Sequence, residues 1–308
     1  MWLVSAVLLL WAPAPALAQA RATKSLALSA ESVLLLDTQG KVLFAKNASE
    51  DHAPASLVKL MTLYLACEAL DAGKVQWDDP VVISHRAAQT PRYRMGLRAG
   101  DTVPLRVLLE GVAIASANDA ATAVSEYLGG TEDAFVAKMN AKAQELELGS
   151  THFANAHGLP DPGQRSTAED LARLTGRLIQ DHPSSRALLG GATFVYRGRV
   201  YSRNIPLFHD PGGVTALKTG FTREAGYNLA VAAWRAGERF LLIVLGAQTR
   251  RLSYRDARAL LEYGFHEAGI EAPPAEPPRR TAPPPKRRAD RRSRASAPAP
   301  VVVRSPAG

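Results

Sequence analysis

Apolar residues recur along this chain at two different periods, and the change of period divides it. At 32–47, SVLLLDTQGKVLFAKN sets two apolar runs around Asp-Thr-Gln-Gly and predicts a hairpin. The next segment, from Leu57 to Cys67, is apolar nearly all round, which predicts a helix buried in the middle of a domain. From about 71 to 185 the pattern is mainly helical, with good segments at 104–116 and 119–130 and a stop at Gly129-Gly130. The segments beginning at Thr131 and Thr167 open with Thr followed by acidic residues, a capping and dipole pattern. Then the period shortens. The stretch 190–204 reads as strand material, and 213–220, 226–237 and 238–248 read as successive antiparallel strands with tight Gly-containing turns. An amphipathic helix over 253–269 closes the domain. The fold expected is α+β: an antiparallel sheet made from both chain ends and flanked by terminal helices, with a helical subdomain inserted after the first hairpin.

The two ends fall outside this pattern. MWLVSAVLLLWAPAPALAQA, residues 1–20, has an apolar run too short to span a bilayer, followed by Ala-Leu-Ala, and reads as a secretory signal peptide cut after Ala18 or Ala20. Residues 271–308 are rich in Pro, Arg and Ala, lack aromatics, and are expected to form a disordered basic tail. This tail carries nine Lys and Arg against three Asp and Glu, a net +6 of the chain's +8. The high pI thus describes the tail and not the surface of the domain at 21–270. Such a tail suits an anionic wall or membrane surface, or simply remains solvated. Cys67 is the single cysteine, so no intrachain disulfide forms, and its apolar setting marks it as a core residue. The seven His are scattered, with no metal-ligand spacing, so a zinc site is not expected; His152 and His157, in a loop bounded by Gly and Pro, read as structural.

Three short motifs carry chemistry. In HAPASLVKLMT, residues 52–62, Ser56 and Lys59 are three apart, hence on one helix face, and Lys59 is the one charged residue in the first turns of an apolar helix. A buried ammonium tends to give up its proton, and a neutral amine beside a hydroxyl is a general base beside a nucleophile. Ser116 and Asn118 are two apart, so they serve one site only if they lie in a loop between helices; otherwise one of them caps the following helix. Lys218, Thr219 and Gly220 end a strand. An ammonium and a hydroxyl there suit a substrate carboxylate, and Gly220 lets a peptide lie against the strand edge. A strict pleat sets Thr219 opposite Lys218, so a site shared by both requires local distortion.

The order and spacing of the three motifs, with Ser116 lying 60 residues after Ser56 and Lys218 about 100 later, resemble those of the penicillin-recognising serine enzymes. Within them the chain is similar to the serine-type D-alanyl-D-alanine carboxypeptidases, the low-molecular-weight penicillin-binding proteins, from about Ser25 to Ala268. The resemblance rests on APASLVKLMT, IASANDAA, FANAHGLPDPGQRSTAEDLARL, LKTGFTREAGYNLAVAA and ALLEYGF. It implies that Ser56 is acylated by the penultimate D-Ala, that Lys59 accepts its proton, that Ser116 relays a proton to the leaving D-Ala and that Asn118 holds the peptide amide. It further implies that Lys218, Thr219 and Thr222 bind the terminal carboxylate, and that the backbone N–H groups of Ser56 and Phe221 form the oxyanion hole. The partners implied are peptidoglycan stem peptides and, as acylating inhibitors, β-lactams, with no metal or organic cofactor and no nucleic acid; the location implied is periplasmic or associated with the cell wall. One departure concerns the residue after the last strand, where well-known members carry an Arg and this chain has Gln248, leaving Arg250 or Arg251 as the substitutes to consider.

Three other readings share these motifs. A class A β-lactamase requires a Glu-x-x-Leu-Asn stretch that ELELGSTHFANAHG does not contain. A D,D-endopeptidase differs in accepting a second peptide. An inactive wall-binding module is at odds with three intact motifs.

Overall fold

The computed structural model describes residues 26–210 and 213–271; the expected signal peptide at 1–20 and nearly all of the expected disordered tail at 271–308 lie outside the described residues. Strands β1 (Ser32–Leu36) and β2 (Val42–Lys46) form the expected hairpin, and a one-turn 3-10 helix (Ala55–Val58) leads into α1 (Lys59–Asp71). The inserted block follows as β3 (Pro80–Val82), α2 (His85–Gln89), β4 (Thr102–Pro104), α3 (Leu105–Ala113), α4 (Asn118–Gly129), α5 (Glu132–Glu145), α6 (Ala168–Asp181) and α7 (Ser185–Gly190). A second hairpin, β5 (Thr193–Tyr196) and β6 (Arg199–Ser202), precedes the long strands β7 (Val214–Thr222), β8 (Gly226–Arg235) and β9 (Glu238–Ala247), and α8 (Arg250–Glu267) ends the domain.

The main sheet has the order β2-β1-β9-β8-β7, all antiparallel, so the last strand of the chain pairs with the first. Successive side chains of a strand leave opposite faces. In β9 this sends Leu241, Ile243 and Leu245 to the helical block and Phe240, Leu242 and Val244 to the core beneath α8. Both faces are covered, which is why FLLIVLGA reads as an unbroken apolar run. The terminal helix on one face is α8; the other face is covered by α6 and the inserted block.

The helix starts follow the sequence. Thr131 Oγ1 accepts from the Ala134 N–H and Thr167 Oγ1 from the Asp170 N–H, each at 3.1 Å. Gly130, at φ +79°, ends α4. The small β3–β4 ribbon inside the helical block was not expected, because strands of three residues leave no periodicity to read. Among the described residues no helix is long and apolar enough to cross a membrane.

Candidate active site

The nucleophile turn is held from three sides. Ser56 sits not on the first turn of α1 but on the 3-10 turn before it, and Ala55 ahead of it has φ +49°, an uncommon conformation for a residue with a Cβ. Asn228, buried in β8, donates from Nδ2 to the carbonyls of Ala53 (3.0 Å) and Pro54 (3.2 Å), while its Oδ1 accepts from the Gly246 N–H. Gly158, at φ +83°, approaches so closely that a Cβ there would lie 2.1 Å from the Ala55 carbonyl oxygen. Gly220 of β7 comes almost as near; a Cβ would stand 3.2 Å from the Ser56 nitrogen. Its smallness sets the strand's backbone directly beside the serine.

Lys59 is fully buried as the first residue of α1. Its Nζ contacts Ser56 Oγ at 3.1 Å and Asn118 Oδ1 at 2.7 Å, and donates to the His157 carbonyl. Burial lowers its pKa to about 7, against the pull of Asp119, which raises it. Lys218 in turn is held well below the ordinary lysine range by burial, then by repulsion from Lys59 and then from Arg203. The Asn118 and His157 oxygens can only accept. The neutral amine spends both N–H groups on them, so its lone pair faces Ser56, whose hydroxyl donates to it.

Ser116 lies in the sharp connection between α3 and α4, at φ +55°, and Asn118 is the first residue of α4; neither side chain caps that helix. The connection thus holds one residue of the pair, and the left-handed turn at Ser116 lets its side chain and that of the helical Asn118 reach the same pair of lysines. Lys218 Nζ donates to Ser116 Oγ at 2.8 Å and to the Thr219 carbonyl at 2.9 Å. Asn118 is nearly buried, and its amide is occupied within the protein: Nδ2 donates to the carbonyls of Pro91 (3.0 Å) and Arg92 (2.7 Å) while Oδ1 faces Lys59. These two carbonyls fix which end of the amide faces the lysine.

The distortion expected at Lys218 and Thr219 is absent. The β7–β8 register is regular from Ala216 to Thr222, and the irregularity falls earlier, between Val214 and Ala216. Lys218 points to Ser116; Thr219 is partly exposed on the sheet's edge strand, and its hydroxyl makes no hydrogen bond among the described residues. Thr222 Oγ1 accepts from the Ala225 N–H at 2.9 Å. Phe221 is exposed and lies against Tyr227, ring centroids 4.3 Å apart.

A buried serine–lysine pair, a second serine–lysine pair and an edge strand laid beside Ser56 form one constellation. Residues 18–249 match the peptidase S11 family, described as D-alanyl-D-alanine carboxypeptidase. The chain belongs to this family. It is 39% identical over 269 residues to the D-alanyl-D-alanine carboxypeptidase DacC of Escherichia coli (strain K12), covering 85% of this chain and 67% of that protein. Penicillin binding protein 5 of Haemophilus influenzae superposes with a TM-score of 0.77 at 32% identity, over 79% of this chain and 73% of that one. Penicillin-Binding Protein D2 of Listeria monocytogenes, solved in a cefotaxime-bound form, gives 0.69 at 33% identity, over 79% of this chain and all of that one.

Several residues of this carboxypeptidase-family site were not legible in the sequence. Asp119, wholly buried, accepts from the N–H groups of Met95, Gly96, Leu97 and Ala120 at 2.9–3.0 Å and fixes the loop over Asn118. His157 was read as structural, yet its carbonyl holds Lys59. Its imidazole accepts the Leu159 N–H at Nδ1, which leaves the proton on Nε2, 3.4 Å from Glu132; burial lowers its pKa to about 4, so the ring is neutral at pH 7. Arg203 is mostly buried and donates to the carbonyls of Gly191 (2.7 Å), Ala113 (3.2 Å) and Leu217 (2.9 Å), and to that of Leu189. Gln248, Arg250 and Arg251 are exposed, and the side chains of the two arginines form no hydrogen bond or ion pair among the described residues. Cys67 is buried, as expected, and the described residues contain no cluster of metal-ligating side chains.

Proposed function

We propose that this chain is a serine D,D-carboxypeptidase that removes the terminal D-Ala from peptidoglycan stem peptides through an acyl-enzyme on Ser56. The observation that carries this reading is the Lys59 geometry: a buried amine with two acceptor-only partners and one hydroxyl. In this mechanism Ser56 passes its proton to Lys59 as its oxygen attacks the carbonyl of the penultimate D-Ala. The oxyanion takes the N–H groups of Ser56 and Phe221, which the close approach of Gly220 to Ser56 favours. Ser116, bonded to Lys218, delivers a proton to the leaving D-Ala amine. Ser116 is restored by the proton that Lys59 took from Ser56, which frees the Lys59 amine; water then attacks the ester, its proton passing to Lys59 and from there to Ser56 Oγ as the ester bond breaks.

Lys218 binds the terminal carboxylate with the hydroxyls of Thr219 and Thr222. Arg203 is committed to backbone carbonyls, and Gln248 stands where well-known relatives carry an Arg. An arriving carboxylate favours the charged form of Lys218 and offsets the repulsion from Lys59 and Arg203. Asn118 holds Lys59 in line, and its contact with a peptide amide requires a partner exchange on binding. β-Lactams acylate the same serine, as the cefotaxime-bound relative supports.

The substrate sets the location, which we take to be the periplasm or cell wall, reached through the apolar leader at 1–20. The basic tail, net +6, adsorbs to anionic wall or membrane surfaces. High salt is expected to release that adsorption, and adsorption that resists salt contradicts it.

Mass spectrometry of peptidoglycan fragments after incubation tests the reaction class. Loss of one D-Ala from pentapeptides is the result expected; loss of crosslinked dimers with pentapeptides untouched indicates an endopeptidase instead.

A further inference from the structure

Two acids open α5, and both suit the dipole of a helix N-terminus, yet Asp133 is exposed whereas Glu132 is only 5% exposed. A buried carboxylate requires partners. Its Oε2 accepts from Arg86 of α2, at Nη2 (2.8 Å) and Nε (3.2 Å). Its Oε1 accepts from the Ala156 N–H at 3.2 Å and lies 3.4 Å from His157 Nε2.

Ala156 and His157 turn their carbonyls the other way, to the first turn of α1. Thr62 Oγ1 donates to the Ala156 carbonyl at 2.7 Å, and Lys59 Nζ donates to that of His157. Gly158, next in the chain, packs on the Ala55 carbonyl. Residues 156–158 therefore form a strut. One end presses on the turn that carries Ser56 and Lys59; the other is anchored by Glu132, whose own place is set by α5 and Arg86.

We infer that Glu132 is a positioning residue for the proton transfer: by pinning Ala156 and His157 it keeps the His157 carbonyl on Lys59, and so keeps the amine's lone pair on Ser56. The inference rests on the carboxypeptidase reading and adds a residue behind its base. Without Glu132 the strut is free, and Lys59 loses one of its two acceptor-only partners. The amine is then less well aimed, so acylation slows even where all of it is unprotonated. The ammonium also loses an acceptor, and hydrogen bonds to the charged form favour that form, so the Lys59 pKa falls below about 7. The other groups facing Lys59 do not offset this. Asp119 of α4 and Lys218 of β7 are unchanged, and His157 loses the charge that raises its own pKa, so it stays neutral.

The test is stopped-flow penicillin labelling from pH 5 to 10 of the full chain, of Glu132→Ala and of Glu132→Gln. Glu132→Ala is expected to lower the high-pH plateau by about 10-fold, a part of what a general base contributes. Its midpoint is expected to move down by about one pH unit, the worth of one hydrogen bond to a charged group. Glu132→Gln keeps an oxygen for the Ala156 N–H and is expected to retain most of the plateau rate. A residue that only supports the fold lowers Tm and leaves the midpoint where it was. NMR titration of the Lys59 Cε, assigned through Lys59→Arg, reads the same midpoint without turnover. A wild-type enzyme that penicillin does not acylate therefore fails the carboxypeptidase reading, while the titration still decides this inference. An unmoved or raised midpoint in Glu132→Ala, or a Gln variant as slow as the Ala variant, overturns it.

Discussion

Asn118 Oδ1 lies 2.7 Å from Lys59 Nζ, and the other end of the same amide donates to the carbonyls of Pro91 and Arg92. The second contact fixes the first: the amide cannot turn without setting an NH₂ group against the lysine and an oxygen against two carbonyls. The lysine is thereby deprived of every orientation except the one whose lone pair faces Ser56.

Replacement of Lys59 by Arg keeps a positive charge and removes the base, because guanidinium does not deprotonate in proteins. Acylation by a fluorescent penicillin is expected to fall by about 10²–10⁴-fold, the usual contribution of general-base catalysis. With Lys59 intact, only the unprotonated amine accepts the Ser56 proton. The acylation rate therefore rises with pH through about 7 and levels off above it. Stopped-flow labelling across pH 5 to 10 reads this profile, and a flat one contradicts it.

Asn118→Asp places a carboxylate against Lys59 Nζ. An adjacent opposite charge favours the ammonium, so the Lys59 pKa rises and less amine is free at pH 7. Acylation at pH 7 is expected to drop by at least 10-fold and to recover partly at pH 9 to 10, since a rise of one pKa unit costs about tenfold in free base. An unshifted pH midpoint in the variant counts against Asn118 as the group that sets the lysine.

The fold was readable because each face of the sheet is hydrophobic and because α5 and α6 open with their own caps, Thr131 and Thr167, where the sequence put them. Ser56 and Lys59 were readable because one charge in an apolar helix is conspicuous. Asp119 and Asn228 were not. Apart from the Ala120 N–H on Asp119, the partners of both are backbone groups more than fifteen residues away, and no local pattern encodes such partners. At Lys218 and Thr219 the strand keeps its regular register, so the two side chains leave opposite faces as the pleat places them, and no bulge between them brings them together.

Gly220→Ala introduces a Cβ 3.2 Å from the Ser56 nitrogen and 3.1 Å from the Pro54 carbonyl oxygen. Both are backbone atoms that side-chain rotation cannot move away. The strand is expected to shift by a few tenths of an ångström, enough to cost an oxyanion-hole donor much of its effect and slow acylation by about 10²-fold, with little change in Tm. Wild-type acylation in this variant contradicts the placement of β7 as a catalytic wall.

Asn228→Ala leaves the Ala53 and Pro54 carbonyls and the Gly246 N–H without their side-chain partner. Stability is expected to fall by about 1–3 kcal/mol, and acylation to slow beyond what unfolding explains, because Ala55 loses a support of its left-handed backbone. Denaturant melts alongside penicillin labelling separate the two effects.

The central claim, catalysis through an acyl-enzyme on Ser56, is tested most directly by D-Ala release from Nα,Nε-diacetyl-L-lysyl-D-Ala-D-Ala, with mass mapping of the penicillin adduct on the same protein. The account predicts D-Ala release by the wild-type enzyme, none by Ser56→Ala, and a single adduct on the peptide containing Ser56. Release that survives in Ser56→Ala, or an adduct on any other serine, contradicts it.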